Sequence, residues 1–150
     1  MSNNEEFMSL ALDEAEKALA YEEVPVGALL VIDNKIISKS HNMVIRNQDP
    51  TAHAEINVIR DACEIIRNYR LKDARIFVTL EPCTMCYGAI VHSRVSEIIF
   101  GAHDIKTGVC RSCTDFSKEN FFNHRPKITG GVLEQKCSVI LKEFFKSRRS

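Results

Sequence analysis

The sequence predicts an α/β domain, and three observations carry that prediction. Segments with apolar residues at helical spacing alternate with short apolar runs of strand length. Turn signals such as Asp33-Asn34 and Asp49-Pro50 separate them. The order reads helix, hairpin, helix, strand, helix, strand, loop, helix. Strands joined through helices in this way should run parallel, with right-handed crossovers and helices on both faces.

The elements follow in order. From Glu5 to Tyr21, Phe7, Leu10, Ala11, Ala15, Ala18 and Leu19 recur at helical spacing with acids between them. Val26 to Ile32 is continuously apolar and reads as a buried strand. Asp33-Asn34 turns it into a returning strand, Lys35 to Ser40. After Asp49-Pro50-Thr51, the residues Ala54, Ile56, Val58, Ile59, Ala62, Cys63 and Ile66 mark a second helix. Arg75 to Leu80 is a short strand stopped by Pro82, and Cys83 to Ser93 a buried helix. Glu97 to Ala102 is a further strand. His103 to Arg125 is polar and irregular, too long for a passive connection, and reads as a binding loop. A short strand is expected over Ile128 to Val132 and a closing helix over Leu133 to Arg148.

Composition narrows the function classes. The 150 residues are 45% hydrophobic and 27% charged, which sets aside disordered and fibrous chains. They form one expected domain, 1–150, with no repeat or low-complexity linker. Twenty cationic and 20 acidic residues balance, so any nucleic-acid contact must come from a local patch. No apolar run reaches the roughly 20 residues of a membrane span. The acidic start lacks the layout of a signal peptide, so the expected location is the cytoplasm. There, six cysteines in partly paired spacing suggest metal or redox chemistry rather than disulfides.

Two segments carry that chemistry, Thr51-Ala52-His53-Ala54-Glu55 and Glu81-Pro82-Cys83-Thr84-Met85-Cys86. Each follows a loop or a strand end and opens a helix, where sites of α/β sheets gather. Cys83 and Cys86 can reach one ion from a first helical turn, whose N–H groups and dipole favour thiolates. His53 supplies a third donor. Three protein donors leave one position of a tetrahedral zinc open, which marks a catalytic site. Glu55 stands about 200° from His53 on a regular helix, so the two converge only if the helix's N-terminal end faces the site. Glu55 would then move protons without binding the metal.

His-x-Glu followed by Pro-Cys-x-x-Cys is the signature of zinc nucleobase deaminases. The chain resembles the bacterial tRNA-specific adenosine deaminase branch of the cytidine/deoxycytidylate deaminase-like superfamily. The resemblance covers almost the whole chain. It includes Glu23-Val24-Pro25-Val26-Gly27-Ala28, His41-Asn42, Asp104, Lys106-Thr107-Gly108, Asn123-His124-Arg125 and the ending Phe144-Phe145-Lys146-Ser147-Arg148-Arg149. The reaction comes from this resemblance, not from spacing. It implies a three-layer α/β/α domain with a mixed five-stranded sheet and one Zn2+ per chain, held by His53, Cys83 and Cys86. It implies a hydrolase acting on C–N bonds of cyclic amidines, converting adenosine to inosine at the wobble position of a tRNA anticodon. Zinc-activated hydroxide would attack carbon 6, with Glu55 as proton shuttle. Asn42 would hold the base, and Val26 and Ala54 would line its pocket. Asp104, Lys106, Asn123, His124, Arg125, Phe144, Phe145 and Arg148 would contact the tRNA anticodon stem-loop. The family implies a homodimer.

Alternatives stand beside these expectations. Another deaminase, for cytosine, guanine or a free nucleoside, shares the zinc motif. Alternatively, Cys83/Cys86 and Cys110/Cys113, with twenty-three residues between the pairs, form a non-catalytic four-cysteine module. Cys110 and Cys113 depart from the family pattern, which puts the conformation of that loop in question. Charge placement favours RNA. Glu5, Glu6, Asp13, Glu14, Glu16, Glu22 and Glu23 face only Lys17 in the first 25 residues, leaving the remainder basic. The last nine residues set Lys142, Lys146, Arg148 and Arg149 against Glu143, around Phe144 and Phe145. Such a helix end offers cations for phosphates and an aromatic face for a splayed base. One of the two phenylalanines is expected to face the core. Asn42 either holds the base or caps the turn after the hairpin. His41, His92 and His103 are expected to satisfy local hydrogen bonds, and Cys63 and Cys137 to lie in the core.

Overall fold

The computed structural model describes residues 2–148, so Arg149 of the basic tail lies outside the described residues. Helix α1 (Asn3–Leu19) starts earlier than its apolar spacing indicates. The cause is a capping box: Glu5 N–H donates to the Ser2 hydroxyl, and Ser2 N–H donates to the Glu5 carboxylate. The small buried residues Ala11, Ala15 and Ala18 let the sheet approach closely. A Cβ on Gly27 would lie only 2.0 Å from the Ala11 carbonyl oxygen.

Strands β1 (Gly27–Ile32) and β2 (Lys35–His41) form the expected hairpin. Its turn residues Asp33 and Asn34 both have positive φ, 52° and 60°, which suits the right-handed strand twist. Helix α2 (Ala54–Ile66), strand β3 (Arg75–Leu80), helix α3 (Thr84–His92) and strand β4 (Glu97–Ala102) follow within a residue or two of expectation. The sheet order is β2-β1-β3-β4-β5, with β5 at Lys127–Thr129 and helix α4 at Glu134–Arg148. β1 runs antiparallel to both neighbours, and β3, β4 and β5 are parallel. Both helix-joined pairs therefore point the same way, with β1 inserted between β2 and β3.

The three layers follow from which side chains each helix meets. Phe7 of α1 packs on Phe77 of β3, with centroids 5.1 Å apart. A Cβ on Gly101 of β4 would strike Cys137 Sγ of α4 at 2.3 Å. These helices cover one face. On the other, Ser38 of β2 donates to the Val58 carbonyl of α2, and α3 packs beside α2. Phe77, Phe100, Leu29, Leu30, Ile76 and Ile98 fill the core. Cys137 is buried and Cys63 half-buried against it, as expected.

Two expectations need correction. The final strand ends at Thr129 rather than Val132. Gly130 lies so close to Phe100 that a Cβ would approach its ring to 2.4 Å, and Gly131 turns the chain with φ +83°. Leu133 also has positive φ, 53°, so α4 starts after it. The segment from His103 to Arg125 is not merely polar. It carries a 3-10 turn, Phe116–Lys118, capped by Asp115. Phe116, Phe121 and Phe122 stack on one another, and Phe116 and Phe122 pack on the fully buried Tyr87 of α3.

Candidate active site

The ends of β2, β3 and β4 and the start of β1 share one edge of the sheet. His53 is the N-cap of α2 and Cys83 the N-cap of α3. Both therefore have extended backbones and project from helix ends rather than helix sides, which resolves the 200° problem. Cys86 follows in the first turn of α3 and Glu55 in that of α2. His53 Nδ1 lies 3.8 Å from Cys83 Sγ and 3.5 Å from Cys86 Sγ. A tetrahedral zinc with ordinary Zn–N and Zn–S bonds needs N···S separations of roughly 3.6 Å. The spacing and the nitrogen–sulfur donor set both fit zinc. Among the described residues this is the one group of three such side chains within metal-binding reach, and Glu55 stands outside it. Three donors leave the fourth position free of protein.

The electrostatics agree. Hydrogen bonding from Cys86, opposed by burial and helped by His53, brings the Cys83 thiol down to about 4. Cys86, on the other side of that shared proton and well buried, is pushed up. A dication held by these three side chains would displace the shared proton, since a coordinating thiol is deprotonated outright. The bond to Cys83 also raises the His53 imidazole against its burial. Burial pushes the Glu55 carboxyl up to about 7, its own backbone N–H only partly opposing. A carboxyl poised there suits proton transfer near neutral pH.

A cleft of about 660 Å³ opens over this group. Val26, Asn42, Val44, Ile45, His53, Glu55, Cys83 and Asp104 line it, with Phe144, Phe145 and Arg148 of α4 at its rim. Three polar side chains set its walls. Asn42 Oδ1 accepts from Ala54 N–H at 2.9 Å, and its Nδ2 donates to the Val24 carbonyl at 3.1 Å. It thus caps α2 and still keeps one N–H free for a base. Glu23, 2% exposed, accepts from the backbone N–H groups of Ile45 and Arg46. Glu81 accepts from the N–H groups of Asp104, Cys110, Arg111 and Ser112 and from the Ser112 hydroxyl. Sequence reasoning assigned no role to Glu23 or Glu81. The signal available for Glu81 was its place directly before Pro82-Cys83.

Residues 1–102 match the model of the cytidine and deoxycytidylate deaminase zinc-binding region. The tRNA-specific adenosine deaminase of Haemophilus influenzae is 48% identical over 97% of this chain and 85% of its own length. The chain belongs to the tRNA-specific adenosine deaminase family. A structure from studies of A-to-I editing by tRNA:A34 deaminases at the wobble position of transfer RNA superposes with TM-score 0.88. Its identity is 44%, covering 91% of this chain and 99% of the other. A guanine deaminase from Bacillus subtilis reaches 38% identity and TM-score 0.64 over 66% of this chain and 64% of its own.

In this deaminase, the remaining sequence-predicted residues divide. Val26 lines the cleft, whereas Ala54 is fully buried and contributes its amide to Asn42. Lys106 is exposed beside Asp104, whose carboxylate accepts from the backbone of Lys106 and Thr107. Asn123, His124 and Arg125 do not line the cleft, and His124 Nε2 donates to the Val95 carbonyl at 2.7 Å. Phe144 is the more buried of the tail pair, with Arg148 stacked over its ring at 4.8 Å. Phe145 is 46% exposed. Arg148 also donates to the Glu22 carbonyl at 3.0 Å. The four-cysteine module is not formed: Cys110 is buried, Cys113 is exposed, and neither joins the metal-binding group. No helix among the described residues is long and apolar enough to cross a membrane.

Proposed function

We propose that this chain, working as one deaminase domain over residues 1–150, converts adenosine to inosine at the wobble position of a tRNA anticodon. The observation that carries the reading is the near-full-length likeness to tRNA-specific adenosine deaminases in a chain whose Glu55 and His53–Cys83–Cys86 group share one cleft. His53, Cys83 and Cys86 would hold the zinc. When bound there, zinc supplies Lewis-acid activation of water near neutral pH. Glu55 takes the proton of the attacking water and passes it to the departing 6-amino group, so water enters at carbon 6 and ammonia leaves. Asn42, already fixed at both ends of its amide, orients the base against Val26. Preorganised groups of this kind cost no rearrangement during reaction.

The rim favours an RNA loop over a free base. Phe145 offers a stacking face, and Lys106 and Arg148 offer cations for phosphates. Asn123 and Arg125, exposed outside the base pocket, would meet RNA away from the reacting nucleotide, while His124 positions their turn through Val95. The enzyme acts in the cytoplasm as a homodimer. Helix α3 supports the dimer: apart from the exposed Thr84 and His92 it is apolar, and Gly88, between them on its outer side, has nothing within 4 Å of where a Cβ would stand. A helix of that kind calls for a covering partner.

The test is incubation of the zinc-loaded protein with an anticodon stem-loop RNA carrying wobble adenosine, read as inosine. Parallel reactions contain guanine, cytosine and free adenosine. Inosine in the RNA alone is expected. Deamination of guanine or cytosine with none of the RNA would overturn the reading.

A further inference from the structure

Behind the cleft wall lies a chain of polar side chains that the reaction itself does not use. Glu14 of α1 is 4% exposed and His41 at the end of β2 is 7% exposed. Lys17 Nζ contacts Glu14 Oε2 at 2.5 Å. His41 Nδ1 lies 3.4 Å from Glu14 Oε1, and His41 Nε2 lies 3.0 Å from Arg46 Nη2. The Arg46 guanidinium also sits over the Tyr21 ring at 3.9 Å. α2 presents only the uncharged Asn57, which donates to the His41 carbonyl.

This arrangement fixes the state of the imidazole. A guanidinium has donors and no acceptor, so Nε2 must accept from Arg46. The ring is therefore neutral, and its proton sits on Nδ1, where Glu14 accepts it. Adding a second proton at Nε2 would leave two donors facing each other and place a cation against Arg46. Burial, opposed by the Glu14 hydrogen bond and reinforced by the Arg46 charge, holds His41 below the ordinary histidine range. Arg46 is next to Ile45, and both amides are held by Glu23. Val44 and Ile45 line the cleft, and Asn42 follows His41 directly.

We infer that His41 is a positioning residue: as a neutral Nδ1–H imidazole it ties Arg46, and with it the Val44–Ile45 wall of the cleft, to α1, and protonation of Nε2 releases that wall. The inference deepens the proposed RNA deaminase reading and rests on it only for its kinetic arm.

The first arm needs no substrate. Long-range proton–nitrogen NMR of the zinc-loaded protein should show His41 as the Nδ1–H tautomer, titrating below the ordinary value of about 6.5. Arg46→Ala should move that midpoint upward, because it removes a neighbouring cation and frees Nε2. The second arm measures kcat and KM on the stem-loop RNA across pH 5 to 8. Wild type should lose affinity on the acid side, with KM rising about tenfold, the equivalent of one hydrogen bond to a charged group. His41→Gln keeps an acceptor for Arg46 and does not titrate, so its KM should stay flat over the same range. Arg46→Ala, at an exposed loop position, should show the raised KM already at pH 8, with kcat nearly unchanged. An Nε2–H tautomer, a midpoint above 6.5, or an Arg46→Ala enzyme with wild-type KM would overturn the inference. Absence of any RNA deamination by wild type would count against the proposed function alone, and the NMR arm would still decide the network.

Discussion

Replacing Glu81 by Gln should unfasten the loop that floors the cleft. In the folded chain the Glu81 carboxylate, 2% exposed, accepts from four backbone N–H groups at 2.8–3.0 Å and from the Ser112 hydroxyl. Glutamine keeps one acceptor oxygen and turns an NH2 group toward donors it cannot satisfy. Five hydrogen bonds to a charged group, at about 1.5–3 kcal/mol each, would sum to far more than the variant can lose, because Gln keeps an acceptor oxygen and water can re-pair the amides of Asp104, Arg111 and Ser112, though not that of the buried Cys110. A loss of about 3 kcal/mol is expected, the order of one or two hydrogen bonds to a charged group left unmade. Burial raises the Glu81 carboxyl, but the bonds from Ser112, Arg111 and Asp104 outweigh it and hold the group below its ordinary range. A depressed folded pKa contributes stability that is present above the unfolded value of about 4.3 and lost as pH falls through the folded one. The gap between wild type and Glu81→Gln should therefore be full at pH 7 and shrink below about pH 4. Urea unfolding of both zinc-loaded proteins measures it, and hydrogen exchange reports residues 104–112. A loss under about 1 kcal/mol with unchanged protection of those amides would refute the reasoning.

His53→Ala, Cys83→Ser and Cys86→Ser should each lose zinc by elemental analysis, whereas the double variant Cys110→Ser/Cys113→Ser should retain one ion per chain. Glu55→Gln should keep zinc and lose roughly 10²–10⁴ in kcat on the stem-loop RNA, the usual share of a general acid–base. Phe145→Ala with Arg148→Ala should raise KM for that RNA about 5- to 150-fold, the equivalent of roughly 1–3 kcal/mol for one stacked base, and leave zinc content untouched.

What could be read in the sequence was what is encoded locally. Asp33-Asn34 writes its own turn, and Val26 to Ile32 its own buried strand. The metal group was legible because its members sit at two helix starts, where spacing alone fixes their reach. Glu81 and Glu23 were not legible, because each works by receiving backbone N–H groups some 22 to 31 positions away, and no side-chain pattern marks a backbone donor. The Cys110/Cys113 spacing misled for the opposite reason. It looks like a ligand pair, yet the turn closed by the bond from Cys113 N–H to the Gly108 carbonyl buries one sulfur and exposes the other. For Asn42, capping and base contact looked like alternatives. The structure makes capping the means by which the side chain is held in the cleft.

Placing metal donors at helix starts carries a stability cost that can be measured. N-cap positions favour Ser, Thr, Asp or Asn, whose side chains accept a first-turn N–H. His53 and Cys83 make no such bond, so neither helix is capped by its own N-cap residue. At α2 the task has moved to Asn42, which reaches across twelve positions to the Ala54 amide. Ala54 is only the first helical residue; the next amide meets the carboxylate of Glu55 itself, and the Ile56 amide has no side-chain cap. His53→Asn should therefore stabilise the metal-free protein by about 1 kcal/mol while abolishing zinc binding. Wild type should regain the advantage only when zinc is present, since a ligand that binds the folded chain alone adds to its stability. Urea midpoints of both proteins with chelator and with excess zinc separate the two effects. If His53→Asn is less stable than wild type even in chelator, the imidazole contributes to the fold through contacts other than the metal, and the account of these helix starts as sites given over to catalysis fails.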